Sequence, residues 1–264
     1  MGLTDFADVA EEARAFLNLP HPEPEPVAQR RGIAPAPSGS TEAARRLFAM
    51  SQPLAGTLAE TYLRRRGITL LHGTGNLRFH PRCYYKPDDG PSEAWPAMIA
   101  AVTDLTGRIT GVLRTWLAPD GSDKAPIDTP RKAMGYLLGS TVRIGVPDTV
   151  MAAGEGIETM LSLRQVLPNM AMAPALSASH LAAVLFPPAL RRLYIVHDKD
   201  PAGDSARDTL LERANAEGIE AIPLSPALGD FNEDLQRIGI DALRTWVRVQ
   251  LAPEDVAHFL SLAP

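Results

Sequence analysis

The sequence of 264 residues predicts an α/β protein, a parallel sheet flanked by helices preceded by a smaller mixed α+β domain. Three observations lead there. After Pro147, short apolar runs alternate with helix-length segments, the pattern of strands joined by helical crossovers. Before it, strand-like runs are separated by turns; in residues 98–116 the segment from Asp104 to Gly107 reads as a hairpin turn. Charge is also divided: residues 1–40 carry 3 basic and 6 acidic side chains, residues 41–145 carry 14 and 9, and residues 146–264 carry 9 and 16. A basic middle beside an acidic C-terminal part suits a polyanion surface next to a carboxylate metal site.

The composition, 45% hydrophobic and 22% charged, is that of a globular chain large enough for two modest cores. No apolar run approaches a membrane span, and the acidic, amphipathic start lacks the features of a signal peptide, so a cytoplasmic location is expected. The single cysteine, Cys83, excludes an internal disulfide. His72, His80 and Cys83 lack a fourth ligand at a recognisable spacing and are not read as a zinc site.

Taken in order, residues 1–19 contain a helix with apolar positions Phe6, Val9, Ala13 and Phe16 at helical spacing, and residues 20–40 are a Pro-rich tether. Residues 41–146 form the basic domain. Ser40 or Thr41 caps a helix ending near Met50, and a second helix runs from Gly56 to Arg66, closed by Gly67. Strands are expected at 77–79, 97–103, 109–117 and 141–144. Residues 147–238 form the α/β domain, with strands at 149–153, 170–173, 193–196 and 220–224 and helices at 157–167, 179–185, 201–216 and 232–238. Residues 239–264 add closing helical turns, chiefly 241–251.

Between the first strand and helix of that domain stands Gly154-Glu155-Gly156. A dinucleotide loop would need glycine at position 159, where Thr stands, and Glu155 would repel a pyrophosphate. A carboxylate there suits a divalent cation. The stretch His197-Asp-Lys-Asp-Pro-Ala-Gly-Asp204 places Asp198 and Asp200 just past another strand, pointing the same way if extended, with Pro201 at a helix start. Gly229-Asp-Phe-Asn-Glu-Asp234 adds Asp230 and Asp234 to the rim. Ligands in such sheets sit beyond the carboxyl ends of the strands, and few, hard oxygen ligands favour Mg²⁺ or Mn²⁺. Lys199, between the aspartates, faces the other way and is a candidate phosphate contact; His197 reads as a supporting or structural group; and Glu158 reads as a first-turn residue favoured by the helix dipole.

Gly-Glu-Gly, Asp-Lys-Asp-Pro-Ala-Gly-Asp-Ser-Ala and Gly-Asp-Phe-Asn-Glu-Asp together resemble the Toprim domain shared by bacterial replicative primases, topoisomerases and some nucleases. The form of the middle motif resembles primases of phages and mobile elements. Tyr62-Leu-Arg-Arg-Arg-Gly-Ile68, Leu77-Arg-Phe-His-Pro81 and Gly107-Arg-Ile-Thr-Gly-Val-Leu-Arg-Thr115 are similar to the basic subdomain that precedes Toprim in those primases.

The resemblance implies primer synthesis from ribonucleoside triphosphates on single-stranded DNA, with Glu155, Asp198 and Asp200 catalytic and, with Asp230, metal-binding. It places nucleotide or nucleic-acid contacts at Arg114, at Lys132 or else Lys124, and at Arg78. Tyr84, Tyr85 and Trp116 are candidate base stackers, with burial favoured for Trp116. One cysteine leaves no set for the zinc-binding module with which such primases begin, and no helicase domain is recognisable. The sequence therefore reads as a polymerase core acting with a helicase or other replication protein. A metal-dependent nuclease and a non-catalytic nucleic-acid-binding accessory protein are the alternative readings.

Overall fold

A computed structural model describes residues 38–146 and 148–260. The N-terminal helix and nearly all of the Pro-rich tether expected from the sequence lie outside the described residues. So do the last four positions.

The first part is built on a five-stranded sheet in the order β1-β2-β3-β4-β5, with every neighbouring pair antiparallel. Its strands are β1 (Gln52–Pro53), β2 (Leu77–Tyr85), β3 (Glu93–Thr103), β4 (Ile109–Trp116) and β5 (Arg131–Gly135). Helix α1 (Ser38–Met50) lies on one face. There Ala44 and Phe48, one helical turn apart, bury against Ile99, Ala101, Val112 and Trp116. The Thr41 hydroxyl and Arg45 guanidinium pin this helix to the carbonyls of Thr110 and Ile109 at 3.0 and 2.8 Å. Helix α2 (Leu58–Arg65) buries Tyr62 and Leu63 on the opposite side, and Gly67 turns the chain away at φ 78°.

Several elements differ from their expected extent. Strand β2 does not stop at Phe79: it passes Pro81 by a shift in register between His80 and Cys83, where a residue without an N–H can sit. Strand β5 has no apolar alternation and is held by pairing with β4. The expected strand at 141–144 is instead a connector, with Thr141 bridging to Thr103 of the antiparallel sheet and Ile144 to Met172 of the second sheet.

The second part is a four-stranded, fully parallel sheet in the order β7-β6-β8-β9. Its strands are β6 (Val150–Gly154), β7 (Ala171–Pro174), β8 (Arg192–Val196) and β9 (Glu220–Leu224). They alternate with α3 (Ile157–Arg164), α4 (Ala178–Ala182) and α5 (Pro201–Ala216), and α6 (Phe231–Arg237), α7 (Gly239–Arg248) and α8 (Pro253–Phe259) follow. The alternation of side chains along each strand sorts two cores. Met151, Ala153, Leu193 and Ile195 pack toward α4 and α5. Ala152, Met172, Tyr194 and Val196 pack with α3, α6, α7 and α8, and this core is continuous with Leu77, Met98, Ala100 and Leu113 on the face of the antiparallel sheet away from α1. Burial of each large aliphatic side chain in this shared core contributes about 1.5–3 kcal/mol. Among the described residues no helix is long and apolar enough to cross a membrane.

Candidate active site

Strand order places the site. From β6 the chain moves to β7 on one side, while β8 and β9 lie on the other, so the connections part between β6 and β8. Beyond the carboxyl ends of strands that part in this way an open α/β sheet has a crevice. Glu155 follows β6 and Asp198 follows β8, at the two lips of that crevice.

Gly154 is required by close approach rather than by a positive φ. A Cβ there would collide with the Met160 sulfur and stand 2.8 Å from Val196 Cβ. The Glu155 carbonyl accepts the Leu176 amide at 2.8 Å, and Leu176 is the one described non-glycine residue at positive φ, 82°. Gly203, in the first turn of α5, is equally constrained: a Cβ would collide with the Asp198 carbonyl oxygen and lie 3.1 Å from Glu155 Oε1.

Asp198 and Asp200 are not side by side on an extended segment, as the sequence suggested. The Asp200 amide donates to the Asp198 carbonyl at 2.9 Å, which turns the chain, and Asp200 then caps α5 through Oδ1, accepting the Gly203 amide at 2.8 Å. Asp230 caps α6 through Oδ1, accepting the Asn232 and Glu233 amides at 2.7 and 2.8 Å. Asp234 is fully buried and occupied in holding the 227–228 backbone, accepting the Ala227 and Leu228 amides.

Each of the two remaining carboxylates leaves one oxygen without a partner. Among the described residues, Glu155 Oε1 and Asp198 Oδ1 are buried with no hydrogen-bond partner. Burial, then the charges of Asp198 and Asp200, push the Glu155 carboxyl up to about 7. Burial, then Asp230 and Asp200, push Asp198 up to about 6, opposed by Arg131. Four acids at three strand ends thus share one electrostatic neighbourhood. As placed, no three His, Cys, Asp or Glu side chains among the described residues close around one point. Even so, two orphaned oxygens in a cluster that resists its own ionisation fit a divalent cation, whose hard character matches carboxylate donors.

The basic residues expected from the sequence are not brought to this crevice. Arg114 and Lys132 are directly paired across β4 and β5. Arg114 lies over the buried Trp116 ring and donates to the carbonyls of Lys132 and Ala133; Lys132 lies over Tyr85. Both therefore belong to the α1 face. Arg78 holds the end of α1, donating to the carbonyls of Phe48 and Ser51. Lys199 donates to the Ala227 carbonyl at 2.9 Å and joins the loops after β8 and β9. Lys124 is half-buried near Glu158, Arg66 and Arg131, and burial and its cationic neighbours pull its pKa down. Trp116 and Tyr85 are buried and only Tyr84 is exposed; Trp116 donates to the Cys83 carbonyl. Cys83 is buried, its thiol pushed up to about 11.

The cation that does reach the neighbourhood is Arg131, one position from Lys132 and so on the opposite face. Its Nη2 donates to Glu158 Oε2 at 2.7 Å, and the Tyr62 hydroxyl donates to Glu158 Oε1 at 2.7 Å. Glu158 is buried, and these partners hold its carboxyl down at about 2 against the cost of burial. Glu158, expected as a first-turn residue favoured by the helix dipole, is instead half of a buried ion pair between α3 and β5; neither Arg131 nor Tyr62 carries a local sequence signal for it. His197 is buried between the loops, 3.1 Å from Ser225 Oγ and 3.3 Å from the Asp198 carbonyl.

Residues 150–241 match the family model described as Toprim domain. The chain carries a Toprim domain. Ahead of the Toprim domain, residues 38–144 match a model described as Domain of unknown function (DUF7146). No curated protein sequence matches the chain. Among solved structures it is similar to a DNA primase domain from Pseudomonas aeruginosa, at 16% identity and a TM-score of 0.52 over 80% of this chain and 78% of that one. It is also similar to the Aquifex aeolicus primase, zinc-binding and RNA polymerase domains, at 16% identity and a TM-score of 0.54 over 94% of this chain and 68% of that one. At such identity the likeness is one of fold: the antiparallel sheet and the Toprim domain together have the fold of primase cores.

Proposed function

We propose that this Toprim protein catalyses metal-dependent nucleotidyl transfer, synthesising RNA primers on single-stranded DNA from ribonucleoside triphosphates. The observation that carries the reading is the coupled acid cluster at the switch between β6 and β8, with buried oxygens of Glu155 and Asp198 lacking any partner. The primase-like fold supports it.

On this reading Asp198 and Asp200, with Glu155 and Asp230, hold Mg²⁺ or Mn²⁺. The bound cation neutralises triphosphate charge and lowers the pKa of the attacking hydroxyl. Glu155, held near 7, is suited to keep or release a proton at its carboxylate near neutral pH. Gly203 keeps the start of α5 close enough that Asp198 and Glu155 share the crevice. Arg131 supplies positive charge beside the acids for phosphate, while Arg114, Lys132 and Arg78 would meet nucleic acid on the α1 face. A helicase or other replication protein of a mobile element is the expected partner.

The test is primer synthesis by purified protein on mixed single-stranded DNA with labelled ribonucleotides and Mg²⁺ or Mn²⁺, alongside Asp198→Ala and a labelled-DNA arm without nucleotides. Primers made by the wild type and lost in the variant, at unchanged circular dichroism, support the proposal. Shortening of the DNA without nucleotides would establish a nuclease instead. Identical behaviour of the two proteins would leave a non-catalytic accessory role.

A further inference from the structure

At the end of the parallel sheet opposite the acid cluster, the starts of β6 and β7 open onto a cavity of about 440 Å³. Its walls include Arg164, His72, Gly73, Asn169, His258 and Phe259. Arg164 closes α3 and is 2% exposed. Its Nη1 donates to the His72 carbonyl, and the backbone passes so near that a Cβ on Gly73 would stand 3.1 Å from Nη2. Among the described residues Nε has no acceptor, and no carboxylate pairs with the guanidinium. Burial alone draws its pKa down, and no nearby negative charge offsets it. Asp148, on the same wall, is exposed and accepts the Thr149 amide.

A guanidinium stays protonated in a protein, so this is a buried cation without a counter-charge. Burial of that kind is costly unless the charge is paired. Donors are available around it, the Asn169 amide and an N–H from each of two imidazoles at the mouth, with the exposed Asp148 carboxylate on the wall and Phe259 offering an apolar edge. We propose that this cavity binds the phosphate group of a small molecule, with Arg164 as its counter-charge and Asn169 and His258 as further donors. A tetrahedral phosphate has acceptors enough to meet donors from several sides, and Arg is the side chain best matched to it. The volume falls in the range of small-ligand pockets, roughly 300–1,000 Å³, so it admits more than the phosphate itself. The site lies at the amino ends of β6 and β7, at the other end of the sheet from Glu155 and Asp198, and does not depend on the function proposed for those residues.

The experiment is ³¹P line broadening and thermal unfolding of the whole protein in EDTA, with inorganic phosphate, a nucleoside monophosphate or acetate, each against KCl of equal ionic strength. Wild type and Asp198→Asn should bind phosphate alike. Arg164→Gln should weaken binding by about tenfold or more, the scale of one charge-assisted hydrogen bond. His258→Ala and Asn169→Ala, at less buried positions, should each weaken it several-fold and decide the matter if Arg164→Gln does not fold. Tighter binding of the nucleotide than of phosphate would identify the fuller ligand, and equal binding would identify free phosphate. No response beyond KCl, an equal response to acetate, an undiminished response in the variants, or loss in Asp198→Asn would each overturn the proposal.

Discussion

Arg131 on β5 donates to Glu158 on α3 across 2.7 Å, and this contact ties the antiparallel sheet to the Toprim domain. Glu158 is buried and also receives the Tyr62 hydroxyl. Its folded carboxyl lies at about 2, below the ordinary 4.5, so the stability it contributes is present above pH 4.5 and is lost as pH falls toward 2. Glu158→Gln should destabilise the protein by about 2–4 kcal/mol, since breaking a buried pair costs about 3–5 kcal/mol and Arg131 keeps some contact with solvent. Urea unfolding at pH 7 and pH 3.5 measures both effects; the difference between wild type and variant should shrink at the lower pH.

The acid cluster has the opposite sign. Glu155 at about 7 and Asp198 at about 6 lie above their ordinary values of 4.5 and 3.8, so protonation favours the fold. Without metal, their contribution is complete below about pH 4 and is lost as pH rises through 6 and 7, on the order of 2 kcal/mol for each group. In EDTA, the Tm difference between wild type and Asp198→Asn should therefore change between pH 5 and pH 8, with wild type losing ground. Mg²⁺ should raise the wild-type Tm more at pH 8 than at pH 5.5, because the ligands must be ionised. Parallel profiles for the two proteins would contradict this.

Gly203→Ala inserts a methyl group against the Asp198 carbonyl and Glu155 Oε1. Backbone cannot yield there as a flexible side chain would, so α5 must shift. The expected result is a stability loss of about 1–3 kcal/mol and a larger proportional loss of Mg²⁺ affinity, read by calorimetry, than from Gly75→Ala, where a Cβ would meet nothing within 4 Å.

Arg131 and Arg114 separate the two faces of the antiparallel sheet. Arg131→Met, which also leaves Glu158 unpaired, should at equal folded fraction reduce nucleotide incorporation at least about tenfold relative to Glu158→Gln, the scale of a lost charge-assisted contact to phosphate, with little change in DNA affinity. Arg114→Met, remote from the acids, should act on DNA retention and on packing over Trp116. Filter binding and single-nucleotide incorporation distinguish the outcomes.

The parallel sheet was legible because its signals are local. Apolar runs of strand length, Pro201 at the start of α5 and glycines at strand ends state their structure within a few residues, and α5 and β9 fall where expected. Strand β5 was not legible: Arg131-Lys-Ala-Met-Gly135 has no alternation, and its backbone is satisfied only by β4, which lies 15 or more residues away in sequence. The residues of the acid cluster could be named from motif and strand position. That Asp200 and Asp230 would spend an oxygen on helix caps, while Glu155 and Asp198 each keep a buried oxygen without a partner, could not.

By itself the sequence determined that carboxylates stand beyond strand ends of a parallel sheet, because strand, turn and helix propensities act over short distances. Which cation faces them was decided by tertiary structure. Lys132 and Arg131 are neighbours with the same charge, yet the pleat of β5 sends one over Tyr85 toward α1 and the other to Glu158 beside the acids. A change of one position in register would exchange them, and register is set by pairing between distant strands.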